Sequence, residues 1–310
     1  MLSQTKISPK SWLAFDLNVV RRLKFESVLL PFSDRPALGA YLKRWNARVT
    51  ANDPLQSSWV RCVAQITNGF ERLSADDVNT VLEDAYVPGY KLVNPSLTNW
   101  FSETDSWWFD NVRRNIDRLQ SPNLRAVAST IAIATGDYVL SFSDETRELR
   151  QPLSNVFRRL WSIQPEPHGN GQENTSHNRP ADDFLAEATG DLMFLRLPGA
   201  HAHGLRTYLG RSAWREEWLR QGSDCWDGLE LNQHGKLGAP TETKSQYLHL
   251  LEATLRRASH IRNWALAHVE AGFITTQDIV DTIASIRRVD TIYTKDFSEL
   301  TGTKAVIITA

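Results

Sequence analysis

The 310-residue chain predicts an α/β fold, with strands alternating with helices at both ends and helices filling the middle. Three observations carry this reading. Residues 25–53 follow the order strand, turn, helix, strand, and residues 60–160 are rich in helix caps and acidic first turns. Residues 291–294 and 304–309 read as a C-terminal antiparallel hairpin.

The elements follow in order. Phe25-Glu26-Ser27-Val28-Leu29-Leu30 is a short run closed by Pro31, and residues 36–45 place Leu38, Tyr41, Leu42 and Trp45 on one helical face. Pro36 suits the first turn of that helix, where its missing N–H leaves nothing unpaired. Residues 48–53 form a second strand ending in polar side chains. Ser74 and Ser102, each followed by acids, offer helix N-caps, residues 93–98 are a turn-rich break, and residues 123–135 are an alanine-rich helix. Residues 164–183 have almost no apolar side chains and predict a flexible loop. Beyond them come a core strand at 192–195, an amphipathic helix at 246–262, a strand at 263–268 and a helix at 275–288. The predicted organisation is a core formed by 1–60 and 184–310, a helical insertion at 61–163 and the 164–183 loop.

Charge is balanced overall, 35 basic against 36 acidic side chains, which excludes a polycation that coats nucleic acid by bulk attraction. The balance is a cancellation. Residues 1–50 hold nine bases and three acids, whereas residues 51–110 hold nine acids and three bases. Such blocks face each other within a fold or serve different partners. Two cysteines, Cys62 and Cys225, provide neither a disulfide framework nor a four-cysteine zinc site and fit a reducing compartment. No apolar run is long enough to span a membrane, and the first residues lack the uninterrupted apolar stretch of a signal peptide, so the expectation is a cytoplasmic protein with no membrane partner. Of eleven tryptophans, Trp107, Trp108, Trp214, Trp218 and Trp226 read as helix-packing aromatics, any exposed subset marking a protein interface.

In a doubly wound sheet, ligands bind beyond the carboxyl ends of the strands, first at the turn after the first strand. Here that turn contains Pro31, Phe32, Ser33, Asp34, Arg35 and Pro36. Asp53 follows Ser33 by 20 positions and ends the next strand, where it reads either as a ribose-gripping acid or as an ordinary strand-end carboxylate.

In order and spacing these segments resemble the Dam-type adenine-specific DNA methyltransferases. Val28-Leu29-Leu30-Pro31-Phe32-Ser33 is similar to that family's V-L-E-P-F-x-G-x-G loop, and Ala51-Asn52-Asp53 to its second-strand N-D. Residues 99–116 resemble its central helical segment, and Gly190-Asp191-Leu192-Met193-Phe194-Leu195-Arg196-Leu197-Pro198-Gly199 stands in place of G-D-L-V-Y-x-D-P-P-Y. The resemblance implies a Rossmann-like methyltransferase sheet with helices on both faces. It also implies S-adenosylmethionine as the cofactor, held by Lys10, Pro31, Phe32, Ser33 and Asp53, and double-stranded DNA as the partner.

The departures from the family pattern fall where the chemistry would be. Asp34 and Pro36 replace the loop glycines, and Leu30 replaces an acid. At the catalytic motif, now Arg196, Leu197, Pro198 and Gly199, only Pro198 is kept. A guanidinium has donors only and cannot accept hydrogens from an adenine amine, and it sets positive charge near the cofactor's sulfonium. Gly199 has no ring on which an extruded base could stack. The expectation is a catalytically degenerate, methyltransferase-like subunit of a restriction-modification or phage-defence system, with no catalytic residue assigned and paired with DNA or a competent methyltransferase. The alternative is a divergent active adenine-N6 methyltransferase.

Arg147, Arg150, Arg158 and Arg159, interleaved with Phe157 and Trp161, read either as phosphate contacts or as a solvated face paired with Asp144, Glu145 and Glu148. His201 and His203 lack a metal-ligand spacing with Cys225 or Asp191 and read as loop histidines, so no metal is expected. Ser141 and Ser143 have no evident base.

Overall fold

The computed structural model describes residues 10–143, 145–270 and 272–310. The chain runs α1 (Lys10–Val20), β1 (Ser27–Leu30), α2 (Ala37–Arg44) and β2 (Arg48–Asn52). Five helices follow: α3 (Gln56–Cys62), α4 (Ala75–Leu82), α5 (Glu103–Ile116), α6 (Pro122–Leu140) and α7 (Leu153–Ser162). Next are β3 (Thr175–His177), α8 (Ala181–Glu187), β4 (Leu192–Arg196), α9 (Leu205–Leu209), α10 (Trp214–Leu219), α11 (Cys225–Gln233) and α12 (Lys244–Arg257). The chain ends with β5 (Asn263–Glu270), α13 (Thr276–Ala284), β6 (Thr291–Asp296), α14 (Ser298–Thr301) and β7 (Lys304–Thr309).

Among the described residues the seven strands form one sheet in the order β3-β2-β1-β4-β5-β7-β6. The first five pair in parallel, with Leu29 beside Thr50 on one side and Met193 on the other, whereas β7 runs antiparallel to both β5 and β6. This is the 3-2-1-4-5 run of a doubly wound, Rossmann-like sheet, extended by a strand inserted before the last.

Both faces of the central strands are covered, which is why β1 and β4 read as unbroken apolar runs. Alternate residues serve opposite layers. Val28, Leu30, Val49, Leu192, Phe194 and Ala265 pack with Val19 and Val20 of α1 and Leu38 and Leu42 of α2. Leu29, Met193, Leu195, Trp264 and Leu266 pack with Phe184 of α8, Leu251 and Leu255 of α12, and Ile279 and Ile283 of α13. A separate core holds the helical insertion together around Trp108, Phe109, Phe157, Trp214 and Trp218.

Three boundaries differ from the sequence reading. The break expected between residues 60 and 61 falls inside α3, because β2 stops at Asn52 and a three-residue turn leads directly into the helix. Trp214 and Trp218, from the second half of the chain, belong to the core of the insertion. The stretch 164–183, expected as a flexible loop, supplies the edge strand β3 and the start of α8. Polar bonds do there what apolar burial does elsewhere. Asn170 Nδ2 donates to the Lys43 and Ala47 carbonyls, and Asn174 Oδ1 accepts the Val49 N–H at 2.9 Å.

Candidate cofactor crevice

The direction of crossover reverses between β1 and β4, so the crevice of a doubly wound sheet opens at their carboxyl ends. Its floor is the loop from Pro31 to Pro36, and side chains of the protein itself hold that loop. Asp53 Oδ2 accepts the Ser33 N–H at 2.9 Å and its Oδ1 accepts the Leu55 N–H at 2.9 Å. Asn52 Nδ2 donates to the Pro31 carbonyl at 3.0 Å and to that of Arg179 at 2.9 Å, stitching the ends of β1, β2 and β3 together. The Ser33 hydroxyl donates to the Leu30 carbonyl, and the Cys62 thiol to that of Ser33.

These bonds set the electrostatics. Burial pushes the Asp53 carboxyl up to about 7, an effect reinforced by Asp34 and opposed by its two N–H donors and Arg61. Burial also pushes the Cys62 thiol up, keeping it a donor rather than a nucleophilic thiolate. Asp34 pairs with Arg35 at 3.7 Å.

The other wall is the end of β4. Arg196 forms an ion pair with Asp16 of α1 and lies over the Phe194 ring, 5.7 Å from its centroid. Asp16 is almost fully buried, and burial raises its pKa against the pull of Arg196. The Leu197 N–H continues the ladder to the Ala267 carbonyl. Pro198 offers its carbonyl to the Tyr247 hydroxyl at 2.9 Å. The Tyr208 hydroxyl lies against Gly199, where a Cβ would sit 3.1 Å from its oxygen. Across the mouth, Gly238 takes a left-handed conformation (φ 95°) that brings its loop against Phe32 and Pro198.

The structure therefore gathers Pro31, Phe32, Ser33, Asp53, Arg196, Leu197, Pro198 and Gly199 at the carboxyl ends of β1, β2 and β4, with Ser33 and Asp53 buried. Lys10 opens α1, but its side chain lies outside the described residues, as does Asp144. His201 stacks on Tyr208 with ring centroids 3.9 Å apart, and its two nitrogens face the carbonyls of His203 and Gly238. Among the described residues no group of three or more His, Cys, Asp or Glu side chains is placed to hold a metal ion, and no helix is long and apolar enough to cross a membrane.

The four arginines belong to the insertion and separate into two kinds. Arg150 turns inward, pairing with Asp105 at 3.0 Å with both side chains largely buried. Arg147, Arg158 and Arg159 are exposed. Arg158 donates to Asn79 at 3.0 Å and Arg159 lies over the Tyr138 ring.

Three acids that carry no signal in the sequence organise the surroundings: Asp16, Glu216 and Glu217. Glu216 accepts the N–H groups of Gln56 and Ser57 at the amino end of α3, the place beside β2 where a ligand's anionic group would otherwise find unpaired donors. Glu217, wholly buried, accepts from the indoles of Trp100 and Trp226 and from Arg206. Glu216 stands 160 residues from the helix it caps, a separation that leaves no local pattern to find. Comparison of the chain with models of known families and with curated proteins yields no match in either.

Proposed function

We propose that this chain is a methyltransferase-like scaffold without methyl-transfer chemistry, acting as a DNA-binding or partner subunit in a restriction-modification or phage-defence system. The observation that carries this reading is the Arg196–Asp16 ion pair. The residue standing where the family places its catalytic acid is a cation facing α1 and neutralised there. Neither its donors nor its charge can orient an adenine amine toward a sulfonium methyl group.

The cofactor side supports the same reading. Both Asp53 oxygens already accept backbone N–H groups, and Asp34 sets a carboxylate where a cofactor carboxylate would approach the loop. Exposed Arg147, Arg158 and Arg159 on the insertion supply phosphate contacts for duplex DNA.

Three measurements on the purified protein test the proposal. Calorimetric titration with S-adenosylmethionine and a methyl-transfer assay on duplex DNA are expected to be negative, while fluorescence anisotropy with labelled duplex shows binding that weakens as salt rises. Methyl transfer to DNA would establish the active-enzyme alternative. Absence of duplex binding, alone and with a competent methyltransferase, would end the DNA-facing part.

A further inference from the structure

Residues Val63–Thr67 continue α3 as a single π turn, and between that turn, α2, α6 and the segment 164–168 lies a cleft of about 180 Å³. Its walls come from the sheet layer, from the helical insertion and from the segment that leads back out of the insertion. Ligand sites form preferentially at such boundaries. The segment is tied down beside the cleft. Glu166 pairs with Arg72, Gln164 Nε2 donates to the Leu160 carbonyl at 3.3 Å, and Asn170 just beyond holds the Lys43 and Ala47 carbonyls.

Size and lining set the chemistry of an occupant. A dry cavity of about 150 Å³ holds benzene, whereas drug-sized ligands occupy roughly 300–1,000 Å³. The cleft therefore takes a single ring rather than a nucleotide. Ala40 and Tyr41 of α2, Ala64, Val127 of α6, Pro165 and Pro167 give such a ring its apolar walls.

The charge of the lining is positive. Three cations, Lys43, Arg44 and Arg72, stand against two acids, Glu71 and Glu166, and both acids are engaged. Arg72 neutralises Glu166, while Glu71 accepts from Asn123 Nδ2 at 2.9 Å and from the Ser121 hydroxyl, placing its charge at the positive amino end of α6. Tyr41 and His168, the other titratable groups of the lining, bring no negative charge near neutral pH. The two cations left over are neighbours on α2. Lys43 is the one buried lysine among the described residues, and its Nζ donates to the carbonyls of Ile66 and Asn68 at 2.7 Å each rather than to an acid. Burial pushes its pKa down to about 8, as expected of an ammonium without a counter-charge. Arg44, exposed at the rim, lies over the Tyr41 ring at 5.7 Å from its centroid and pairs with no carboxylate among the described residues.

We infer that this cleft binds a small organic anion, a single apolar ring bearing one carboxylate or phosphate group. The ring lies among the apolar walls beside Tyr41, and the anionic group meets Arg44 with the buried charge of Lys43 behind it. Such an anion supplies the counter-charge that the fold withholds from Lys43. The cleft contains none of the crevice residues and none of the α7 arginines, so the inference stands or falls independently of the proposed function.

Saturation-transfer NMR on the full chain at low salt tests the inference with benzoate, phenyl phosphate, neutral benzamide and acetate as probes. The better of the two aromatic anions is expected to half-saturate the protein near about 1 mM, an affinity within reach of a ligand of about ten atoms. Whichever of the two binds more tightly identifies the anionic group. Benzamide keeps the ring without the charge and acetate the charge without the ring, and each is expected to bind about tenfold more weakly or worse. Two variants locate the site. Arg44→Glu reverses the unpaired charge at the rim, and Ala40→Leu fills the place of the ring with another good helix former. Circular dichroism and the urea midpoint check that each is folded, and each is expected to weaken binding of the better anion about tenfold. The inference is overturned if neither aromatic anion binds saturably below about 20 mM, if benzamide or acetate binds as tightly as the better anion, or if either folded variant binds that anion like wild type.

Discussion

Glu216 of α10 accepts the Ser57 N–H at 2.6 Å, closing the amino end of α3 with a carboxylate from the other half of the chain. The same side chain accepts the Gln56 N–H at 3.0 Å and binds Arg220 at 3.1 Å, with only 1% of its surface exposed. Three donors, two of them at the positive end of a helix, converge on one buried charge.

Truncation of this carboxylate exposes its value. Glu216→Ala strands the buried Ser57 N–H and the half-buried Gln56 N–H and leaves Arg220 unpaired, so the loss of stability is expected at ~2–4 kcal/mol by urea unfolding. Glu216→Gln keeps one acceptor and loses less. If the alanine variant unfolds at the wild-type midpoint, Glu216 does not hold α3 in place.

The Arg196–Asp16 pair calls for a double-mutant cycle. Arg196→Leu leaves the buried Asp16 without its ion-pair partner and with only the neighbouring Arg35 as a positive charge, and a loss of ~3 kcal/mol is expected. Adding Asp16→Leu removes the stranded carboxyl and is expected to recover most of that loss, giving a coupling energy well above the ~0.5 kcal/mol scatter of independent sites. Additive losses would mean that the two residues act separately.

How much of the fold is legible in the sequence depends on how far each contact reaches along the chain. Val28 to Leu30 and Leu192 to Leu195 announce central strands because full burial on both faces demands an unbroken apolar run. The caps at Ser74, Ser102 and Thr275 are equally plain, since each bonds an N–H three residues away. Strand β3 is concealed, because Thr175, Ser176 and His177 are polar and are held by an edge ladder and asparagine side chains. That Ser33, Asp53 and Arg196 fall at the ends of strands is legible from order and spacing. Asp16 is not, because its partner lies 180 positions away and an isolated acid on an amphipathic helix looks like a solvated one. Trp214 and Trp218 are legible as packing aromatics, but their place in the insertion's core is hidden for the same reason.

Asp53 makes stability depend on pH in a stated direction. Its carboxyl pKa rises from the ordinary 3.8 to about 7 on folding, so the folded chain holds the proton more tightly than the unfolded one. The group therefore contributes most below about pH 4, and that contribution falls away as pH climbs to about 7, beyond which it is flat. The full swing is a few kcal/mol at most, because each tenfold gain in proton affinity is worth ~1.4 kcal/mol. Asp53→Asn cannot titrate, and its unfolding free energy is expected to lose that downward slope between pH 4 and 7. A slope identical to wild type would place the titration on another group.

Gly136, in the middle of α6, sets two known effects against each other. Replacing a mid-helix glycine with alanine ordinarily stabilises a helix by ~1 kcal/mol. Here a Cβ would fall 2.2 Å from the ring of Trp214, itself wholly buried and enclosed by Phe101, Phe109 and Trp218. A rigid indole in that cage has no rotamer to escape into, and overpacking of a dense core costs ~1–3 kcal/mol or more. The clash outweighs the propensity gain, so Gly136→Ala is expected to lower the urea midpoint and to shift tryptophan fluorescence as α10 is pushed off α6. The companion Gly136→Ala/Trp214→Leu, which replaces the indole with a smaller side chain, is expected to be more stable than the sum of the two single changes. A stabilised Gly136→Ala protein would mean that α10 does not pack against this face of α6.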